Sequence, residues 1–227
     1  MDTPRFDFEI SPELRTAAPD YTLIAIEADG IVNAPTSDAL WDLICAEMKA
    51  IATSTKMEEV RLRPAIDATR RAYKALGKEP NRYRPSAEAL ARRAVKGMDL
   101  YRTLTVIDLV NLISLRTGIS IGGFDADKIA GTRLVYGRGQ AGEPYEAIGR
   151  GPLNIEGLPV WRDALGGIGT PTSDNERTKL TPDTTRVLLT VNLYHKTTET
   201  EIQALSADIS ALLSLHAGAK TLRRIII

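Results

Sequence analysis

The sequence predicts an α+β fold with a mixed or antiparallel sheet, and three observations carry that expectation. Segments with helical periodicity crowd the stretch from Ser37 to Thr117, while short apolar strands separated by glycine turns fill most of the chain beyond Thr117. Strands and helices do not alternate regularly, as a doubly wound parallel sheet would require. With 227 residues, the chain is long enough to bury a real core.

In chain order, Phe6, Phe8 and Ile10 alternate with acidic residues as a half-buried strand, and Tyr21 to Ala28 forms a second, more apolar one ending at the Asp29-Gly30 turn. Ser37 is placed to cap a helix carrying Leu40, Leu43, Ile44 and Met48. A further helix runs from about Pro64 to Leu76, with Gly77 as its stop. After the extended Asn81 to Pro85, Ser86 is expected to cap a short helix through Lys96 that Gly97 ends. Strands then come at Ile119 to Phe124, Thr132 to Tyr136, Tyr145 to Ile148, Leu158 to Trp161 and Thr185 to Tyr194. An amphipathic helix from Glu199 to Leu215 and a closing strand at Leu222 to Ile227 complete the chain. The expectation is a single domain, with residues 1–20 as an N-terminal extension and 216–227 as the closing segment.

The most informative segment is the helix starting at Val106. It is apolar almost all round, yet Asp108, Asn111 and Ser114 stand three apart and share one face. Burying such groups unpaired costs roughly 1 to 3 kcal/mol each, so the stripe must meet backbone, ordered water or a ligand cavity. Asp108 in particular wants a cation or clustered N–H groups, and Arg84, Arg92 and Arg93 are the expected partners. A purely structural stripe, satisfied by backbone, is the bland alternative.

Charge balances globally, with 29 basic and 29 acidic residues, but not locally. From Lys56 to Arg102 there are thirteen Lys or Arg against six Asp or Glu, a basic sector in a neutral chain. One cysteine and two separated histidines exclude a disulfide and leave no zinc-ligand pattern, so no metal or cofactor is expected. The N-terminus lacks a signal-peptide core and no run reaches a membrane span, which predicts a cytoplasmic chain. Gly137 to Gly142 matches G-x-G-x-x-G, but strand-like residues come next instead of the helix a dinucleotide site requires, so a hairpin loop is expected. Thr170 to Thr178, with Ser173, Asp174, Glu176 and Arg177, looks on composition like a solvated loop. No nucleophile triad is visible.

Several blocks together resemble the B3/B4 domain of the bacterial phenylalanyl-tRNA synthetase β subunit and its free-standing relatives. Val106-Ile107-Asp108-Leu109-Val110-Asn111 is similar to that domain's V-V-D-x-T-N helix, and Gly118 to Asp125 to its G-Q-P-M-H-A-F-D strand. Arg84 to Leu90 resembles the R-P-S-x-E-A-L block of the free-standing proteins, as does Ser173-Asp174-x-Glu176-Arg177-Thr178. The resemblance spans about residues 21–215. It implies a three-layer fold with an unusual β-sandwich, and a pocket that in the synthetase hydrolyses tRNA wrongly charged with tyrosine. In that family the helix Asn, a strand His and a glutamate that reads the tyrosine hydroxyl form the pocket. Asn111 and Glu176 match; Gly122 stands in place of the His, Val110 replaces the Thr before Asn, and Ser120 replaces the Pro.

The resemblance therefore implies a catalytic group of Asn111, Glu176, Gly122 and Gly123. The glycine backbone and the Asn111 amide are expected to stabilise an oxyanion without a protein nucleophile. Asp108, Val110, Ser114, Phe124, Asp125, Ser173 and Asp174 are expected around the amino-acid-like ligand. A charged tRNA end is the expected partner, with Arg82, Tyr83, Arg84, Arg92 and Arg93 meeting phosphates and bases. The alternative from another class is a non-catalytic module that binds a free amino acid or small polar metabolite, a reading that loss of the family His favours.

Overall fold

A computed structural model of the chain describes residues 4–227. The elements are β1 (Asp7–Ile10), α1 (Pro12–Ala17), β2 (Thr22–Asp29), α2 (Asp38–Ser54), α3 (Pro64–Ala75), α4 (Ser86–Val95), α5 (Thr105–Thr117), β3 (Ile121–Asp125), β4 (Arg133–Arg138), β5 (Glu146–Ala147), β6 (Gly151–Pro152), β7 (Pro159–Asp163), β8 (Gly166–Gly169), β9 (Arg186–Leu193), α6 (Glu199–Ala217) and β10 (Thr221–Ile226). Short 3-10 turns sit at Val60–Leu62 and Glu176–Thr178.

One sheet, ordered β10-β2-β9-β3, is antiparallel throughout. The second, ordered β1-β4-β7-β8, pairs β1 with β4 in parallel and is antiparallel elsewhere. Strand alternation builds the layers. Ile24, Ile26 and Ala28 of β2, with Val187, Leu189 and Val191 of β9, face a helical layer contributed by α2, α5 and α6. Leu23, Ala25 and Leu188 face the other way and meet Leu134, Tyr136, Trp161 and Ile168 of the second sheet. Helices, sheet and sheet therefore make three layers in an α+β fold.

Between the sheets, polar groups are paired with one another. Asn192 Oδ1 accepts from the Tyr21 hydroxyl at 2.8 Å and from Trp161 Nε1 at 3.1 Å, and the Tyr136 and Tyr194 hydroxyls bond to each other. Burial holds Tyr21, Tyr136 and Tyr194 well above the ordinary tyrosine range, so all three stay neutral, and in the Tyr136–Tyr194 pair one hydroxyl donates and the other accepts.

Ser37 caps α2 as anticipated, accepting from the N–H of Leu40, and Thr198 forms a reciprocal capping box with Glu201 at the start of α6. Gly118 closes α5 in the left-handed region, with φ of 76°. Ser86 departs from expectation: Pro85 occupies the cap position and Ser86 is the first helical residue, its side chain left free to line a cavity beside α5. Residues 7–10 pair with β4 in the second sheet, and Phe6, Ile10 and, from α1, Leu14 join its core. The G-x-G-x-x-G segment is not a hairpin loop either. Gly137 and Arg138 belong to β4, whose partner β7 begins only at Pro159, and the β5–β6 pair fills the excursion between them. The next element is β5 and no helix opens directly after the glycines, so nothing there presents an N-terminus to a pyrophosphate.

Candidate functional site

A cavity of about 340 Å³ lies where α4 and α5 meet β3 and the segment after β8. Helix α5 contributes Ile107, Val110, Asn111 and Ser114; β3 contributes Ile121 and Gly123; α4 contributes Ser86 and Leu90. Thr170, Thr172, Ser173 and Asp174 form one wall, and the exposed Arg150 and Lys179 add positive charge. The result is apolar surface with a carboxylate, an amide and several hydroxyls set into it, the composition of a small-molecule site.

The 170–174 wall is held tightly, contrary to its solvated look in sequence. Thr170 Oγ1 accepts from the N–H groups of Thr172 and Ser173 and donates to the Ser173 carbonyl at 2.9 Å. The Tyr145 hydroxyl donates to the same carbonyl at 2.7 Å, and Tyr73 shares a 2.9 Å hydroxyl contact with Thr172. At its far end, Ser86 N–H donates to the Pro171 carbonyl at 2.7 Å, which ties α4 to the wall. Ser120, in place of the family's Pro, accepts from the N–H of Ala87 at 3.3 Å and makes a second tie.

Asp174 is the acid of the cavity. Its Oδ2 accepts from the Gly123 N–H at 3.1 Å. Desolvation dominates over that single bond and pushes the carboxyl up to about 7. Ser173 beside it also lines the cavity.

The polar stripe of α5 divides between two jobs. Asn111 and Ser114 face the cavity, with Val110 beside them. Asp108 does not: it is fully buried, and none of Arg84, Arg92 or Arg93 reaches it. Instead Oδ2 accepts from Thr36 Oγ1 at 2.6 Å and the Thr103 N–H at 2.8 Å, while Oδ1 accepts from Thr103 Oγ1 at 3.0 Å. Asn33 accepts from the Val106 N–H at 3.0 Å, so a distant loop caps a helix whose own cap residue, Leu104, cannot. No local spacing announces that loop.

Other anticipated residues also lie outside the lining. Glu176 opens a 3-10 turn, and its carboxylate pairs with Lys179 at 2.8 Å; the acid that enters the cavity comes two residues earlier. Gly122 faces the inter-sheet core, since a Cβ there would come within 2.7 Å of both Phe124 and Thr190 Oγ1. Phe124 fills that space and is buried. Asp125 accepts from Thr184 Oγ1 at 2.8 Å and pairs with Lys128 at 3.3 Å. Gly123 does line the cavity, but its N–H is committed to Asp174.

The basic sector forms a separate groove of about 270 Å³ lined by Arg84, Ala89, Arg92, Arg93, Lys96 and Met98. It lies about 90° round α4 from Ser86 and Leu90, at ~100° per residue. Arg93 stacks over the exposed Tyr101 at 5.3 Å and donates to the Asp99 carbonyl. Arg92 pairs with the buried Glu88 at 2.8 Å, and so does Arg70. Arg82 and Tyr83 sit apart from the groove, with Lys78 Nζ 3.7 Å from the Tyr83 ring centre.

Among the described residues, no group of three or more His, Cys, Asp or Glu is placed to hold a metal ion, and no helix is long and apolar enough to cross a membrane. No curated protein matches the chain. An N-terminal fragment of the phenylalanyl-tRNA synthetase β subunit from Pyrococcus horikoshii is similar to it at 14% identity with a TM-score of 0.48. That similarity covers 98% of this chain and 56% of the fragment, so the chain spans little more than half its length. The family model described as the B3/4 domain matches residues 68–212, a span that holds α5, β3 and the whole 170–174 wall. The cavity is thus formed within the matched region, and the chain belongs to the B3/4 domain family.

Proposed function

We propose that the cavity takes the amino-acid part of an aminoacyl-tRNA and that the protein hydrolyses the ester in trans, an editing-type reaction. The observation that carries this reading is the cavity itself: a half-enclosed chamber, sized for one amino-acid side chain and its ester, in a chain whose blocks resemble the synthetase's editing domain. The groove on the neighbouring face of α4 supports the tRNA part, because its arginines and lysine suit phosphates and the exposed Tyr101 suits a stacked base.

In the reaction, water adds to the ester carbonyl, the acyl–oxygen bond breaks, and a proton passes to the departing ribose oxygen. The Ser114 hydroxyl and the Asn111 amide, one turn apart on α5, are the donors offered to the developing oxyanion; one Asn111 Nδ2 hydrogen is directed at Asp108 Oδ1, 3.5 Å away, and the other is left for the ester. Gly123 N–H is already occupied by Asp174 and is not counted among them.

A second reading, a binding module without turnover, draws support from that same occupied N–H and from Gly122 at the family His position. Release of amino acid from a panel of correctly and wrongly charged tRNAs separates the two. Editing predicts turnover on at least one mischarged member, lowered by about 10²-fold or more in Asn111→Ala if the amide serves the oxyanion. Absence of turnover across the panel, with folded protein, rules out editing of those substrates and leaves the binding module.

A further inference from the structure

Among the described residues, the buried carboxylates are well supplied with donors, whereas the half-buried Asp174 in the cavity wall is not. Glu88 holds two arginines. Asp163 receives a two-pronged pair from Arg177 and the N–H groups of Ala130 and Leu165. Glu27 accepts from the N–H groups of Arg5 and Phe6, and Asp108 from Thr36 and Thr103. Asp174 has a single backbone N–H, on one oxygen. Its other oxygen lies over Gly169, where a Cβ would come within 2.9 Å of it.

Facing groups do not supply a counterion. Tyr145, just before β5, and Tyr136, on β4, approach it, and burial keeps both phenols protonated. Arg150 and Lys179 line the cavity, but neither forms an ion pair with Asp174, and Lys179 is engaged by Glu176. A carboxylate opened to a cavity without its own cation is incomplete until a donor arrives from outside.

We propose that Asp174 is the specificity-determining residue for a primary ammonium group, so that the cavity accepts an α-amino acyl compound and rejects its α-hydroxy counterpart. This rests on reading the cavity as the site of an amino-acid-derived ligand, and it goes further by assigning the group that tells an amino acid from an isosteric acid. Gly123 N–H fixes one oxygen and leaves the second to accept from the ligand. The hydroxyl of the analogue can still donate to that oxygen but brings no positive charge, so the discrimination is the difference between a charge-assisted pair and a carboxylate left without a counterion.

Calorimetric titration tests it, with L-amino acid amides as probes and the matching α-hydroxy acid amides as comparison. At pH 8, at least one amino acid amide should bind saturably and its hydroxy analogue at least tenfold more weakly. Binding at pH 6 should weaken and release protons, because an ammonium favours ionised Asp174. Asp174→Asn keeps an acceptor for Gly123 N–H and should lose at least tenfold for the amine while the hydroxy analogue is unchanged.

Equal binding of the two analogues, or undiminished binding of the amine by Asp174→Asn, overturns the assignment without any variant having to fail in folding. Failure of every amide to bind also overturns it. Deacylation that persists undiminished in Asp174→Asn would leave the hydrolase reading standing and remove this one. Amide binding without turnover would do the reverse.

Discussion

The charged residues of this protein differ more in what surrounds them than in kind. Glu88 joins Arg70 of α3 and Arg92 of its own helix, with Arg70 also bonding Asn81 Oδ1 at 2.7 Å and so clamping the turn that leads into α4. Removing one partner of such a triad leaves buried charge uncompensated, at a cost of about 3–5 kcal/mol. Glu88→Ala is therefore expected to lose stability of that order in denaturant unfolding. Asp108→Ala should cost ~1–3 kcal/mol by the same measurement, since Thr36 and Thr103 lose their acceptor. The stripe on α5 was legible as a need for partners, but their identity was not. Glu88 and Arg92 stand four apart on one helix and can be paired by spacing, whereas Thr36 lies 72 residues from Asp108 and only the tertiary fold joins them.

At the scale of elements, α4 separates two surfaces of different chemistry, hydroxyl and leucine toward the cavity and cations toward the groove. Arg84 and Lys96 make no ion pair among the described residues, so they carry little of the fold. The double change Arg84→Glu with Lys96→Glu should alter stability by only about 0.5 kcal/mol. If the groove meets phosphates, it should weaken tRNA binding and reduce the log-log salt slope by roughly 1 per lost contact. Filter-binding isotherms across a salt series give that slope; an unaltered slope would place the tRNA elsewhere. The helix start at Ser37 could be read because capping is local. Strand β8, Gly166–Gly169, could not, since three of its four residues are glycines and its place comes from pairing with β7. The 170–174 wall looked solvated for a related reason: Tyr73, which anchors it through Thr172, lies 99 residues away, and Tyr145 lies 28 residues from Ser173.

For the molecule as a whole, the unpaired acid sets a pH dependence opposite to that of the paired ones. Asp174 has a folded pKa raised to about 7, so the folded state holds its proton more tightly than the unfolded chain does. Stability from this group is present below about pH 4 and lost as pH rises to about 7, a change on the order of 1–3 kcal/mol. Asp163 and Glu143 behave the other way. Against desolvation, hydrogen bonds from Arg177 and Arg162 respectively hold these carboxyls low, so their contribution is complete above the ordinary carboxylate range and disappears on acidification through it. The unliganded protein should accordingly be most stable near about pH 5, and Asp174→Asn should flatten the decline between about pH 5 and 7 in thermal melts. A decline of unchanged slope in that variant would assign it to other groups.

The two sheets also meet at one point where neither backbone carries a side chain. Gly122 of β3 and Gly169 of β8 both yield room to the ring of Phe124, directly behind the wall that holds Asp174. Any methyl added at 122 must compete with that ring for a shared volume, so Gly122→Ala is expected to be damaging alone. Shrinking the ring in Phe124→Leu is also expected to be damaging alone. Together they should offset one another in part, with the Thr190 hydroxyl still to give way, which makes residues 124 and 190 the places where a genetic selection for second-site suppressors of a Gly122 lesion would land.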